Sequence, residues 1–237
     1  MDRRGFIKIC GGTAALAGLQ TTYIETIRAA ETKSFNRVKL VDAQGNPLKA
    51  KQLATEEAYI FHYPYKSTPC FLINLATKPA GPMTMQADDG EYAWKGGIGP
   101  NGALVSYSAI CAHQLSYPTK EHSPISYTGP TVSKLGGAGK IVCCEHDRVY
   151  DPSQGGKMVV TTKEATQPLA AVVIEYDAGS DEIYAVGVAG GLLYDDFFKS
   201  YKRTLLAEYG PGVAREEVAD TAATMLMSKY TGGVDKC

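Results

Sequence analysis

The sequence predicts a mainly β protein, with an antiparallel β-sheet domain over residues 35–194 and a helical C-terminal extension over residues 195–237. Two observations predict this class. From residue 35 onward, apolar and polar residues alternate with a period of two, in short runs separated by Gly, Asn and Pro, which is typical of antiparallel strands. After residue 194 the apolar residues take helical spacing, with charged residues between them.

The predicted strands follow one another along the domain, with turn signals between them. Two of these segments end at or next to a cysteine, Cys111 in one case and Cys143 in the other. Residues 78–102 are rich in Gly and Pro and are predicted to form a long surface excursion. The predicted strand segments are NRVKLVD (36–42), QGNPLKA (44–50), AYIFHYPY (58–65), PCFLINLA (69–76), ALVSYSAI (103–110), GKIVCCEH (139–146), GKMVVTT (156–162), LAAVVIEYD (169–177) and EIYAVGVAG (182–190).

The C-terminal extension contains two predicted helices, residues 193–209 and 213–230, split by the breaker sequence GPG. In the second helix, Val218, Ala222, Leu226 and Met225 would share one face. Such a face usually packs on its own domain. We expect this one to dock on a partner subunit.

Composition and charge limit the possible functions. The chain has 237 residues, a formal net charge of -1 and six cysteines. This charge gives no basic surface of the kind that nucleic acids attract, so nucleic acid is not an expected partner. Six cysteines over this length are too few for a small disulfide scaffold, and their placement favours ligation.

The first thirty residues differ from the rest of the chain. The sequence DRRGFIK precedes a weakly apolar stretch that is rich in Gly and Ala, and together they resemble a twin-arginine export signal. The alternative is a basic N-terminus beside a small core helix. The export interpretation predicts a periplasmic protein, with residues 1–30 either cleaved or kept as a membrane anchor.

Two short motifs carry the chemistry. Cys111 and His113 form a Cys-x-His motif, and Cys143 and His146 form a Cys-x-x-His motif. If both follow strands, two facing loops can each offer one thiolate and one imidazole to a 2Fe-2S cluster. The same four side chains could bind one structural zinc ion tetrahedrally. The long interval between the motifs favours the cluster, since zinc modules usually use short, regular spacings.

These motifs and their surroundings resemble the Rieske iron-sulfur family. The similarity extends over roughly residues 40–194, and the segments YPYKSTPCFLINL, GGIGPNGALVSYSAICAH and LAAVVIEYD are most like the Rieske small subunit of arsenite oxidase. The resemblance implies a Rieske-type antiparallel domain with a 2Fe-2S cluster at one tip. Cys111 and Cys143 would bind the inner iron, and His113 and His146 the outer iron.

The resemblance also implies roles for three neighbours of the cluster. Pro168, in the segment TQPLAA, would lie in the loop that covers the cluster. The Tyr150 hydroxyl would donate to a ligand sulfur, although a tyrosine at such a position is often only a core residue. Arg148 stands where a serine often donates to the cluster, and its guanidinium would raise the reduction potential.

The chain also departs from the family pattern. Many members join the two loops with a disulfide, but the first motif here continues to Ser116 without a second cysteine, and Cys144 directly follows the ligand. We therefore expect no such disulfide and a buried free thiol at Cys144. Residues 119–140 are an apparent insertion between the motifs. This insertion contains His122, a possible substitute ligand, but its polar surroundings favour a solvent-exposed role.

The expected function is one-electron transfer, because the sequence contains no constellation for bond-making chemistry. The resemblance suggests a relay subunit of a periplasmic oxidoreductase complex of the arsenite oxidase type. Its partners would be a larger redox enzyme subunit containing molybdopterin and a cytochrome or cupredoxin acceptor. Two alternatives stay open: the Rieske subunit of a quinol-oxidising bc-type complex, and a zinc-stabilised binding module.

Overall fold

The computed structural model describes residues 32–160 and 167–237, so the predicted export signal lies outside the described residues. The described part is mainly β, which confirms the predicted class. Its strands are β1 (Lys33–Val41), β2 (Glu57–His62), β3 (Pro69–Asn74), β4 (Met83–Ala87), β5 (Gly90–Trp94), β6 (Leu104–Ser108), β7 (Ile125–Tyr127), β8 (Ile141–Cys143), β9 (Arg148–Asp151), β10 (Lys157–Val160), β11 (Ala171–Asp177), β12 (Glu182–Ala189), β13 (Thr221–Ala223) and β14 (Met225–Leu226).

Three helices follow β12 in the chain: α1 (Tyr194–Ser200), α2 (Lys202–Tyr209) and α3 (Met227–Tyr230). Helices α1 and α2 confirm the first predicted C-terminal helix. Within the described ranges, no helix is both long and apolar enough to cross a lipid bilayer.

Eight strands form one sheet that closes on itself. Their order is β13-β1-β12-β11-β6-β3-β2-β14, and all neighbours are antiparallel except the parallel pair β1 and β13. The two outermost strands, β13 and β14, are separated by the single residue Thr224. Residues 221–226 therefore join the two ends of the sheet.

The second predicted helix of the C-terminal extension is wrong, because its central part forms these closing strands. Ala222 pairs with Leu40 of β1, and Met225 pairs with Ile60 of β2. Backbone pairing with distant strands has overridden the helical spacing of residues 213–230. The predicted surface excursion over 78–102 is also wrong in part, since it contains the hairpin of β4 and β5.

The central strands are buried on both faces, which explains their continuous apolar runs. In β3, Cys70 and Leu72 belong to one hydrophobic cluster, while Phe71 and Ile73 belong to another on the opposite face. The second of these clusters also includes residues of the β4 and β5 hairpin and of a smaller sheet. The smaller sheet thus packs firmly on the larger one.

The smaller sheet has the antiparallel order β10-β9-β8-β7 and positions the second cysteine-histidine motif. Strand β8 ends at Cys143, and β9 begins at Arg148, so residues 144–147 form a tight turn between them. Asp147 has a left-handed backbone conformation, with φ of 49°. Strand β7 comes from the predicted insertion, which therefore supplies structure to the motif.

Asp151 ends β9 and fixes the turn that follows it. Its carboxylate accepts hydrogen bonds from the Ser153 N–H (2.9 Å), the Ser153 hydroxyl (2.6 Å), the Gln154 amide (2.9 Å) and the Lys140 ammonium group (2.6 Å). Burial acts to raise the pKa of Asp151, but the hydrogen bonds from Lys140 and Ser153 outweigh it and lower the pKa. The ionised carboxylate is therefore the form that the fold stabilises.

Replacing Asp151 by asparagine is expected to lower the free energy of unfolding by about 2–3 kcal/mol at neutral pH, since a buried charged acceptor is lost. Because the folded pKa is depressed, this contribution is present above the unfolded pKa of about 4 and disappears as the pH falls through the folded value. Urea unfolding of both proteins between neutral pH and pH 3 measures the difference. Asp177→Asn, at the exposed end of β11, is the control and should lose less stability. A difference that persists unchanged at pH 3 would contradict the assignment.

Candidate metal centre

The first ligand loop begins at Cys111, three residues after β6 ends. Two backbone hydrogen bonds close it: the Cys111 N–H donates to the Ser116 carbonyl (2.8 Å), and the Leu115 N–H donates to the Cys111 carbonyl (2.9 Å). Leu115 adopts a left-handed conformation with φ of 68°. This tight turn buries Cys111 completely and leaves His113 half-buried near the surface.

The second ligand loop is the turn between β8 and β9. Cys143 is completely buried at the end of β8, and His146 is half-buried. The Cys144 N–H donates to the Pro124 carbonyl (2.8 Å), and the Arg148 guanidinium donates to the His146 carbonyl (2.8 Å). The loop is therefore held from both sides, by the insertion and by β9.

The two loops bring three of the four predicted ligands together. One ligand atom each from Cys111, Cys143 and His146 lie within 4.8 Å of one another. The Cys143 sulfur is 3.6 Å from Nδ1 of His146, and the His113 and His146 rings contact each other at 5.3 Å between centroids. Three of the four predicted ligands thus meet at one place, while His113 lies outside this group and contacts it through the ring of His146.

The two buried thiols share one proton. The pKa of Cys111 is lowered to about 5, mainly by a hydrogen bond from the Cys143 thiol and also by one from the Tyr150 hydroxyl. The pKa of Cys143 is raised, because its proton is held by the Cys111 sulfur and because the group is buried. Two buried thiolates can exist side by side only if positive charge compensates them, which a metal centre would do.

The donor set fits a metal centre chemically. Two thiolates and two imidazoles are the ligands of a Rieske-type 2Fe-2S cluster, and they also suit a tetrahedral zinc ion. Cys111, His113, Cys143 and His146 would hold either group. The cysteines are the buried half of the set and the histidines the half nearer the surface.

Two of the three predicted neighbours lie at the centre. The Tyr150 hydroxyl is 3.4 Å from the Cys111 sulfur, and the Tyr150 side chain is fully buried. Arg148, 6% exposed, places its Nη2 atom 3.1 Å from Nε2 of His113. Pro168 is buried together with the other described residues of the segment TQPLAA, 167–171, and the first residue of that segment, Thr166, lies outside the described ranges.

In protein loaded with a 2Fe-2S cluster, replacing Tyr150 by phenylalanine is expected to lower the reduction potential by about 40–60 mV. This shift corresponds to about 1–1.5 kcal/mol for one electron. Burial, followed by the charge of Cys111, raises the pKa of Tyr150, so the hydroxyl stays a donor, and its hydrogen bond to the sulfur favours the more negative reduced state. A spectroscopic redox titration measures the change. Tyr107→Phe, which removes an equally buried hydroxyl bonded to the Pro152 carbonyl, should leave the potential unchanged; equal shifts in both variants would contradict the role.

Cys144 corrects an expectation, because it is not a buried free thiol. It is half-buried and forms a disulfide with Cys237, 93 residues further along the chain, with 5.5 Å between the Cα atoms. The bond ties the second ligand loop to the C-terminal segment. The presence of Cys237, a cysteine without an assigned role, was the available sign of a disulfide, but sequence spacing does not show which two thiols pair.

The C-terminal segment also packs on the predicted insertion. The Ser123 N–H donates to the Gly233 carbonyl (2.9 Å), and the Asp235 N–H donates to the Ser123 carbonyl (3.0 Å). His122 is exposed and lies 3.1 Å from an Asp235 carboxylate oxygen, away from the cysteine and histidine cluster. The expectation that His122 has a solvent-exposed role fits this position.

No protein-family model matches the chain. Among solved structures, the crystal structure of the soluble domain of the Rieske protein II (soxF) from Sulfolobus acidocaldarius is similar to it, with 26% sequence identity and a TM-score of 0.43. The match covers 65% of this chain and 78% of that chain.

Proposed function

We propose that this chain is a Rieske-type 2Fe-2S electron-transfer protein. The observation that carries the proposal is the meeting of Cys111, Cys143 and His146 from two separate loops, with the His113 ring against that of His146, the thiols buried and the imidazoles nearer the surface. When bound, a 2Fe-2S cluster supplies one-electron redox chemistry. A structural zinc ion on the same ligands is the competing assignment.

The residues around such a centre would have different roles. Cys111 and Cys143 would anchor the buried side, and Tyr150 would stabilise the charge on the Cys111 sulfur. His113 and His146 lie where a partner protein could approach, and they would form the exit for the electron. Arg148 contacts both histidine positions and would raise the reduction potential through its positive charge.

We further propose that the protein is a relay subunit of a periplasmic complex of the arsenite oxidase type. Its partners would be a larger redox subunit, one with molybdopterin, and a cytochrome or cupredoxin acceptor. The resemblance of residues 40–194 supports this complex over a bc-type one. The Cys144–Cys237 disulfide supports an oxidising compartment, and residues 1–30 support export by the twin-arginine route, with cleavage or membrane anchoring as its two outcomes.

The test is electron paramagnetic resonance of the purified, dithionite-reduced protein, together with its iron and labile sulfide content. The proposal expects about two iron and two sulfide ions per chain and the low average g value of mixed nitrogen and sulfur ligation. A silent spectrum with one zinc ion per chain would establish the zinc assignment. Copurification of a molybdopterin subunit from the native host would distinguish the complex from a bc-type one.

A further inference from the structure

A hydrogen bond joins the two ligand loops directly. The hydroxyl of Ser116, the last residue of the first loop, lies 2.5 Å from a carboxylate oxygen of Glu145 in the second loop. The same hydroxyl oxygen is 3.1 Å from Nδ1 of His146. A hydroxyl has one proton, and the short distance to a charged oxygen identifies Glu145 as its acceptor.

The local structure holds Ser116 firmly in this position. Its side chain is 2% exposed, and its carbonyl accepts the Cys111 N–H that closes the first loop. The hydroxyl therefore moves with the Cys111 ligand itself. Glu145 lies between Cys143 and His146 in the chain, so its carboxylate moves with the ligands of the second loop.

A second contact runs in the opposite direction. Arg148, the buried first residue of β9 directly after the second loop, reaches the His113 ring of the first loop. One buried polar side chain thus reaches across from each side, Ser116 from the first loop and Arg148 from the start of β9. The disulfide of the second loop does not perform this task, because its partner is Cys237 of the C-terminal segment.

We propose that Ser116 and Glu145 are positioning residues that clasp the two ligand loops and set the place of His146 relative to the cysteines. The inference rests on the proposed function. Glu145 is exposed, and hydrogen bonds at the surface contribute little to global stability. The clasp therefore acts locally: it slows separation of the loops and fixes the geometry around the metal centre.

The experiment compares the loaded full-length protein with the variants Ser116→Ala, Glu145→Ala and the double variant. We measure the half-life of the visible cluster absorption in the presence of a chelator, the g values and the midpoint potential. Each single variant should shorten the half-life about five- to tenfold, which corresponds to one lost hydrogen bond, and should change the g values. The double variant should be no worse than either single one, because both remove the same interaction.

Two further variants separate positioning from charge. Glu145→Gln keeps an oxygen acceptor, so this variant should retain the wild-type half-life of the cluster. Because the variant loses a negative charge, its midpoint potential should rise. Glu121→Gln removes an exposed carboxylate of the insertion and should change neither the half-life nor the g values. Urea unfolding should be alike for all variants.

The possible failures are distinguishable. A wild-type protein without a 2Fe-2S signal overturns the proposed function and this inference with it. A wild-type protein with a full cluster, but with wild-type half-lives and g values in Ser116→Ala and Glu145→Ala, overturns this inference alone. Additive losses in the double variant would also overturn it, since they would mean two independent effects.

Discussion

Replacing Cys143 by serine is expected to abolish metal loading, from about two iron ions per chain to less than about a tenth of that. A serine hydroxyl is not ionised at neutral pH and is a poor ligand for iron, so the centre loses one of two anionic donors. Because the cysteine is completely buried at the end of β8, no solvent molecule can easily replace it. Iron analysis and visible absorption of the purified variant measure the loss.

The matched control is Cys70→Ser. Cys70 is also a completely buried free cysteine, but its thiol donates to the Tyr63 carbonyl (3.0 Å) within the other hydrophobic cluster, and a serine hydroxyl can keep that bond. This variant should load iron normally. Equal iron content in Cys143→Ser and Cys70→Ser would show that the thiol at 143 is not a ligand.

Replacing Cys237 by serine is expected to lower the free energy of unfolding by about 3–4.5 kcal/mol, which corresponds to a fall of about 6–18 °C in Tm. The Cys144–Cys237 disulfide closes a loop with 93 residues of sequence separation, and a cross-link over so long a loop removes much conformational freedom from the unfolded chain. Urea unfolding of the oxidised wild type and the variant measures the difference.

A thiol reductant provides the internal control for this disulfide. It should lower the stability of the wild type to nearly that of Cys237→Ser and have little further effect on the variant. If the oxidised wild type and Cys237→Ser unfold at the same urea concentration, the bond does not form in solution.

The parts of the fold that could be predicted are those with local patterns. The strand that ends at Cys143 follows from alternation, and the family resemblance, carried by the nearby motif, indicates Tyr150 and Arg148. The hairpin of β4 and β5 was missed because Gly and Pro obscure its alternation. A strand is therefore predictable from sequence when no turn residues obscure its alternation.

The parts that could not be predicted depend on distant residues. The apolar spacing at Ala222 and Leu226 suits a helix, and only the pairing with β1 and β2 makes these residues strands. The pairing of Cys144 with Cys237 likewise leaves no trace near either cysteine. The contact of Ser116 with Glu145 needs both loops in place, so the sequence showed only that Ser116 was not a cysteine.

Because residues 221–226 join the two ends of the large sheet, the sheet can be completed only when synthesis of the chain is nearly finished. Strand β1 is synthesised early, whereas its neighbour β13 leaves the ribosome only after most of the chain has been made. Such non-local pairing gives a high contact order and slow folding. The proposed cluster would therefore be inserted after translation, when the scaffold that holds its ligands is complete.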